Sequence, residues 1–329
     1  MFPLSPNSSS PGVPLPDRRA FLQGVAAAGL AACGLEGLEA ARPARGEDGG
    51  PEAVPGLLPA VALGKHRVTR LILGGNPVYG HSHFNRLYSQ HLTDYHTPGR
   101  VVELLRASAA AGINTWQNSH APRTLEDVER CRAAGVRFHW LLLGKPDWDQ
   151  RPEVIDQAAR LDPIGIAPHG ALAERLNRAG KLDLLKDLLK RIRQTGTLVG
   201  LSSHDPRLIE RAEEEDWDVD YHMCCLYYLT RPRDELTKQI GEVPLGEVYL
   251  PSDRERMLQV VRLARKPCLV YKVLAAGRTD LSASGVRSVL EKTLRAIKPT
   301  DAMIIGMFQE FGDQVAENAR TVRQALGGA

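Results

Sequence analysis

The feature that most limits what this chain can become is a strict alternation. Strand-length runs rich in apolar and β-branched residues recur at VTRLILGG (68–75), GINTWQN (112–118), VRFHWLLLG (136–144), PIGIAP (163–168), TLVGLSS (197–203), VDYHMCCLYYL (219–229), CLVYKVLAAG (268–277) and AMIIGMF (302–308). Segments of helical period separate them. TPGRVVELLRASAAAG opens with Thr97 as a cap and Pro98 in the first turn, and TLEDVERCRAAG has Thr124 ahead of acidic residues and Gly135 at its end. AERLNRAGKLDLLKDLLKRIRQ reads as an amphipathic stretch with a solvated charged face. Such alternation implies parallel strands joined by helical crossovers. Eight units over roughly 270 residues fit a closed (β/α)8 TIM barrel, which typically takes about 250. An open sheet of the dinucleotide-binding type is disfavoured, because GGNPVYG after the first run lacks the glycine spacing of that fingerprint.

The first 60 residues differ in kind. MFPLSPNSSSPGVPLP is rich in Pro and Ser and predicts disorder. DRRAFLQGVAAAGLAAC places Arg18-Arg19 before a short, weakly apolar run, the pattern of a twin-arginine export signal. Residues 1–33 are expected to be that signal, 34–60 a flexible tether, and 61–329 the barrel. Leu30-Ala31-Ala32-Cys33 resembles a lipoprotein box, so the membrane enters only through a lipid anchor at Cys33. The expected location is the periplasm or a membrane-anchored lipoprotein, reached through the twin-arginine machinery. That route carries folded proteins, often with a cofactor inserted. Cys131, Cys224, Cys225 and Cys268 have neither metal-knuckle spacing nor disulfide-scaffold density. A net charge of +3 without a basic block, and 5% aromatics not interleaved with Lys and Arg, argue against nucleic acid and for a small-molecule substrate.

A barrel localises function at the C-terminal ends of its strands. That rule collects Asn76, His81, His83, Gln117, Asn118, His120, Lys145, His169, Ser203, His204, His222 and Lys272, and with them six of the ten histidines. The connections 77–96 and 230–251 exceed ordinary loop lengths and suggest lids or binding elements. Arg231 and Arg233 would then clamp an acidic or polyhydroxyl substrate, with His81 and His83 as further substrate contacts. Plain family decoration is the alternative.

Several blocks together resemble the aldo-keto reductase superfamily: GINTWQNSH at the second strand, TLVGLSSHDPRLIERA at the fifth, LVYKVLAAG at the seventh, and DAMIIGMFQEFGDQVAENARTV at the last. The likeness runs from about residue 64 to 325. It implies an NAD(P)-dependent oxidoreductase acting on a carbonyl or sugar-like substrate. It also implies a tetrad of Asp, Tyr, Lys and His, in which the Tyr gives the proton. Here the Asp position holds Gln117, no Tyr follows, and Lys145 and His169 stand at the Lys and His positions. Ser202, Ser203, Lys272, Gly306 and Asn318 fall at cofactor positions. The loop Met307-Phe308-Gln309-Glu310-Phe311-Gly312-Asp313 carries acids where NADP needs cations, so NAD is favoured over NADP.

With the tyrosine missing, His120 or His169 would serve as proton donor. A second reading takes His169, His204 and His222 as ligands of a divalent metal such as Zn, giving a lyase, isomerase or hydrolase on a sugar-like substrate. A third is a non-catalytic binding protein. His204 also has a structural alternative, a turn residue beside Asp205, which would cap the helix that Pro206 begins.

Overall fold

The computed structural model describes residues 56–327. The expected export signal, Cys33 and most of the tether lie outside the described residues. Among the described residues no helix is long and apolar enough to cross a membrane.

Two short strands come first, β1 (Ala60–Leu63) and β2 (His66–Thr69), paired antiparallel. Eight parallel strands follow: β3 (Leu71–Gly74), β4 (Thr115–Ser119), β5 (His139–Leu143), β6 (Gly165–Ala167), β7 (Leu198–Ser203), β8 (Tyr221–Cys225), β9 (Cys268–Tyr271) and β10 (Ala302–Gly306). They close in the order β10-β3-β4-β5-β6-β7-β8-β9. The chain is a closed (β/α)8 barrel, as its alternation predicts.

The differences from expectation are local. The run 68–75 is two strands rather than one, because the chain breaks at Arg70. There the backbone changes partner, its N–H donating to the Pro59 carbonyl on the hairpin side and its carbonyl accepting from the Met303 N–H on the barrel side, while the guanidinium donates to the carbonyls of Asp301 and Lys298. The β1–β2 hairpin contributes Val61, Leu63 and Val68 to the same inner cluster as Ile72, Leu141, Tyr221, Met223, Leu269 and Ile304. It therefore plugs the barrel opposite the functional end, and packing starts before residue 61: Leu58 is buried and its N–H reaches the Gly112 carbonyl at 2.9 Å. Thr97 and Pro98 cap and open their helix as expected. Thr124 does not cap: its helix starts at Pro122, and its hydroxyl instead donates to the Ser119 carbonyl. Both long connections carry helices, Arg86–Tyr95 and Arg233–Ile240.

Side-chain parity follows the pleat, in which neighbours point to opposite faces. Gly165 and Gly200 face inward against the Tyr221 ring, and a Cβ at Gly200 would lie 2.5 Å from it. Outward residues such as Val199 and Leu201 join the helices in a separate outer core. This parity decides which strand-end residues reach the mouth.

Candidate active site

Parity turns Ser202 inward and Ser203 outward at the end of β7. The outward Ser203 hydroxyl donates to Glu174 Oε1 at 2.9 Å. Glu174 lies on the helix Gly170–Arg178 and is 1% exposed, so the stretch read as a solvated face buries one carboxylate. That carboxylate also accepts from the backbone N–H groups of His204 and Asp205, from the Thr230 hydroxyl, and from His204 Nδ1 at 3.1 Å. Burial alone would push the Glu174 carboxyl up. The hydrogen bonds from His204 and Thr230 outweigh it and hold the group at about 2.

A charged carboxylate has no proton to give. His204 Nδ1 must therefore carry a hydrogen, and in the neutral ring the Nε2 lone pair faces the mouth. Tyr271, inward-facing on β9, sets its hydroxyl 3.4 Å from that nitrogen and 3.4 Å from Ser202 Oγ. Both distances are long for hydrogen bonds, as is common where a catalytic contact tightens only with ligand. Burial pushes the Tyr271 phenol well up, so it stays a donor. Gly170 makes the arrangement sterically available: a Cβ there would sit 3.0 Å from His204 Nδ1.

His169 has the opposite tautomer. It caps the helix Gly170–Arg178, and its Nδ1 accepts from the Ala171 N–H at 3.1 Å. The hydrogen is then on Nε2. Burial, and next the charge His204 would carry, lower His169 to about 4, so it is neutral near pH 7. The two rings stand 6.5 Å apart, one offering a lone pair and the other an N–H.

These groups edge a cavity of about 740 Å3 at the C-terminal mouth. Gln117, His169, His204, His81, His83, Lys272 and Gly306 line it, as does Tyr271. The connection 77–96, which lines part of it, is fastened by His83 to Glu247 at 2.9 Å and by His91 to Glu310 at 2.7 Å. Lys272 ends β9 with φ 58°, a left-handed conformation that costs a non-glycine residue on the order of 1 kcal/mol. Burial lowers its ammonium.

Other expected site residues are elsewhere. His222 points out of the barrel, as parity requires between inward Tyr221 and Met223, and its Nε2 pairs with Glu213 at 2.7 Å. The trio His169, His204 and His222 therefore does not assemble, and no cluster of three His, Cys, Asp or Glu suited to a metal occurs among the described residues. Arg231 is no substrate clamp: it is ion-paired with Asp253 and lies over the Tyr228 ring. His120 packs edge-on against the buried Trp148, and neither it nor Lys145 lines the cavity.

The cofactor positions separate too. Ser202 sits beside Tyr271, and Lys272 and Gly306 line the cavity. Ser203 is committed to Glu174, and Asn318 is buried away from the cavity. At the last helix (Gln314–Ala325) the amides that would receive a phosphate are engaged internally. Val315 N–H bonds Gln309 Oε1 and Ala316 N–H bonds the capping Asp313. The residues present do not fit the phosphate end of a nicotinamide dinucleotide.

Sequence reasoning missed Glu174 and Tyr271. Tyr271 was within reach, since it stands one residue before Lys272 in LVYKVLAAG, two positions along the same face from Leu269.

Fold and site define a (β/α)8 barrel whose mouth holds a largely apolar cavity edged by histidines. No family model matches the chain, and no curated protein does. Among solved structures, the glycerol dehydrogenase AKR11B4 from Gluconobacter oxydans is 14% identical, covering 82% of this chain and 95% of that one at a TM-score of 0.46. A truncated form of 3-deoxy-D-arabino-heptulosonate 7-phosphate synthase from Thermotoga maritima is 11% identical over 82% and 92%, at 0.48. A GH113 β-1,4-mannanase is 10% identical over 70% and 93%, at 0.43. The chemistry has to be read from the side chains.

Proposed function

We propose that the protein is an acid–base enzyme acting on a carbonyl-bearing, polar small molecule of sugar-like character. The observation that carries this is the pair of opposed imidazole tautomers, His204 fixed by Glu174 and His169 fixed by the Ala171 amide. His204 Nε2 takes a proton from the carbon beside the carbonyl, directly or through the Tyr271 hydroxyl. The His169 Nε2–H stabilises the oxyanion that develops. A neutral imidazole donor of this kind needs its pKa far below neutral, as burial provides here. Asn76 supplies an amide for hydroxyl groups, against the apolar Leu143, Met223 and Ile304.

The test is hydrogen exchange. Full-length protein is incubated with dihydroxyacetone in D2O, and loss of carbon-bound protons is followed by NMR. Exchange that needs His204 is expected, with His204→Gln slowing it by about 100-fold or more. Equal rates for the two proteins would refute the assignment.

The nicotinamide reading keeps one support, a cleft running past Lys272 and Gly306. Glu310 and Asp313 beyond it favour NAD over NADP by repelling a 2′-phosphate. Fluorescence titration with NADH and NADPH tests this reading, and tighter NADPH binding would overturn the NAD preference. The leader containing Arg18-Arg19 supports an exported enzyme, and the mass of the mature N-terminus from cells tests both cleavage and acylation at Cys33.

A further inference from the structure

Lys272 is the cation of the mouth that the acid–base scheme leaves unused. It lines the cavity from the end of β9, next to Tyr271 in sequence, on a backbone held at φ 58°. The two residues that close the same turn, Ala275 and Ala276, also have positive φ, at 49° and 50°. A strained turn of this kind persists only where the surroundings over-determine it, and such turns cluster at functional sites. Among the described residues its ammonium has no hydrogen-bond partner and no carboxylate within ion-pair distance. The nearby acid, Glu247, is already engaged by His83 and Tyr249. The positive charge of Lys272 weighs on both His81 and His169, which places it toward the histidine side of the cavity.

We propose that Lys272 is a Schiff-base-forming catalytic residue, whose Nζ condenses with the carbonyl carbon of the substrate. This rests on the carbonyl reading of the same site. The neutral amine attacks the carbonyl carbon, forming a C–N bond while the C–O π pair moves to oxygen. The surplus proton on the new nitrogen passes to that oxygen through the Tyr271 hydroxyl, which gives a neutral carbinolamine. One further proton, taken up from solvent, lets the hydroxyl leave as water while the nitrogen lone pair forms the C=N bond of a protonated iminium. No oxidant or reductant is consumed. The iminium then acidifies the neighbouring C–H for removal by His204 Nε2. A half-buried, unpaired lysine has the depressed basicity this chemistry needs, because desolvation penalises its charged form.

The experiment uses full-length protein with dihydroxyacetone as the probe and sodium borohydride as the trap. Intact mass should rise by one probe less one oxygen atom, and peptide mapping should put the label on Lys272. Burial raises the free-amine fraction of Lys272 and the cavity holds the carbonyl beside it, so labelling should exceed that of any surface lysine by about tenfold or more. Label spread over surface lysines, with Lys272 no higher, would overturn the proposal without any variant being made. Lys272→Arg keeps the charge and removes the nucleophile, so it should lose the label. If exchange of the probe's carbon-bound protons persists unchanged in that variant while His204→Gln abolishes it, the Schiff base is wrong and the acid–base reading stands. If Lys272 is labelled but His204→Gln exchanges normally, the lysine stands and the base assignment falls.

Discussion

The two sides of the barrel mouth are built from the same repeating unit, yet they carry opposite chemistry. On the β4–β5 side the cavity meets Gln117, Ser119 and Leu143, none of which ionises. Gln117 spends its Nε2 on the Asn118 carbonyl at 3.1 Å. Behind them Trp148 is fully buried, packed so closely that a Cβ on Gly144 would lie 2.6 Å from its ring. On the β6–β9 side stand His169, His204, Tyr271 and Lys272, backed by Glu174 with five donors on one carboxylate. The difference teaches that the barrel does not fix which strand ends carry the reacting groups. The resemblance to the aldo-keto reductases leads one to expect acid, base and orienting charge on the β4–β5 side. In this chain that side holds packing and an amide, and the ionisable groups stand across the barrel.

The sharpest way to break this comparison is Glu174→Gln. An amide cannot accept from all five donors, and it presents N–H to some of them. Loss of the orienting charge should cut proton exchange by about a thousandfold, inside the range of about 10²–10⁴ that a positioned acid–base group contributes. Stability should fall by about 3 kcal/mol, because a buried ionic hydrogen-bond set is broken on one side. Denaturant titration alongside exchange kinetics reads both. A loss of less than about threefold in exchange would mean that the β6–β9 side is not the reacting side.

Tyr271→Phe is expected to be smaller and cleaner. It removes one hydroxyl with contacts of 3.4 Å, so stability should stay within about 1 kcal/mol. Exchange should slow by about 100-fold through kcat, with KM little changed, since the hydroxyl moves a proton and does not hold the substrate. A rise in KM with unchanged kcat would make Tyr271 a binding residue.

Acid titration separates the groups within the reactive side. His169 has its folded pKa lowered from 6.5 to about 4, so the unfolded chain binds more protons between those values. Stability contributed by the neutral ring is therefore full above pH 6.5 and drains away as pH falls toward 4, by at most about 3 kcal/mol. Glu174 is lowered from 4.5 to about 2, so its contribution is full above 4.5 and drains away as pH falls from there through 2. Unfolding free energy measured from pH 7 downward should start to decline before any carboxylate titrates. His169→Asn should make that early decline shallower, the remainder coming from His66, His81, His96, His120, His139 and His222, which burial also lowers. A profile unchanged from the parent's would mean that His169 does not contribute to it.

How far the sequence reaches follows from the same parity. The barrel was legible because strand and helix signals are local, and eight repeats average out single errors such as the break at Arg70. His169, His204, Gln117 and Lys272 were legible because a barrel puts strand ends at the mouth whatever their side chains do. Ser203 and His222 were misplaced because one residue of register turns a side chain from the cavity to the helices, and TLVGLSSH or VDYHMCC does not print its register. Glu174 was hidden for a different reason. It sits among Arg175, Asn177 and Arg178 on a helix whose charged residues otherwise face water, and only the tertiary approach of His204 and Thr230 makes its carboxylate internal.

The smallest expected effect sharpens the comparison from the quiet side. Gln117 stands where the family pattern has a charged acid, so Gln117→Asp restores that residue type without its tyrosine partner. If the β4–β5 side has no proton to move, the new carboxylate has nothing to tune. Exchange should change by less than about threefold, and stability should fall by about 1–2 kcal/mol from desolvating the added charge at a position 8% exposed. Lys145→Ala should be quieter still in exchange, because that side chain does not line the cavity. A gain of tenfold or more in Gln117→Asp, with exchange newly sensitive to Lys145, would mean that the two sides share the chemistry. The substrate would then bridge the mouth from Gln117 to His204 instead of lying against the β6–β9 wall.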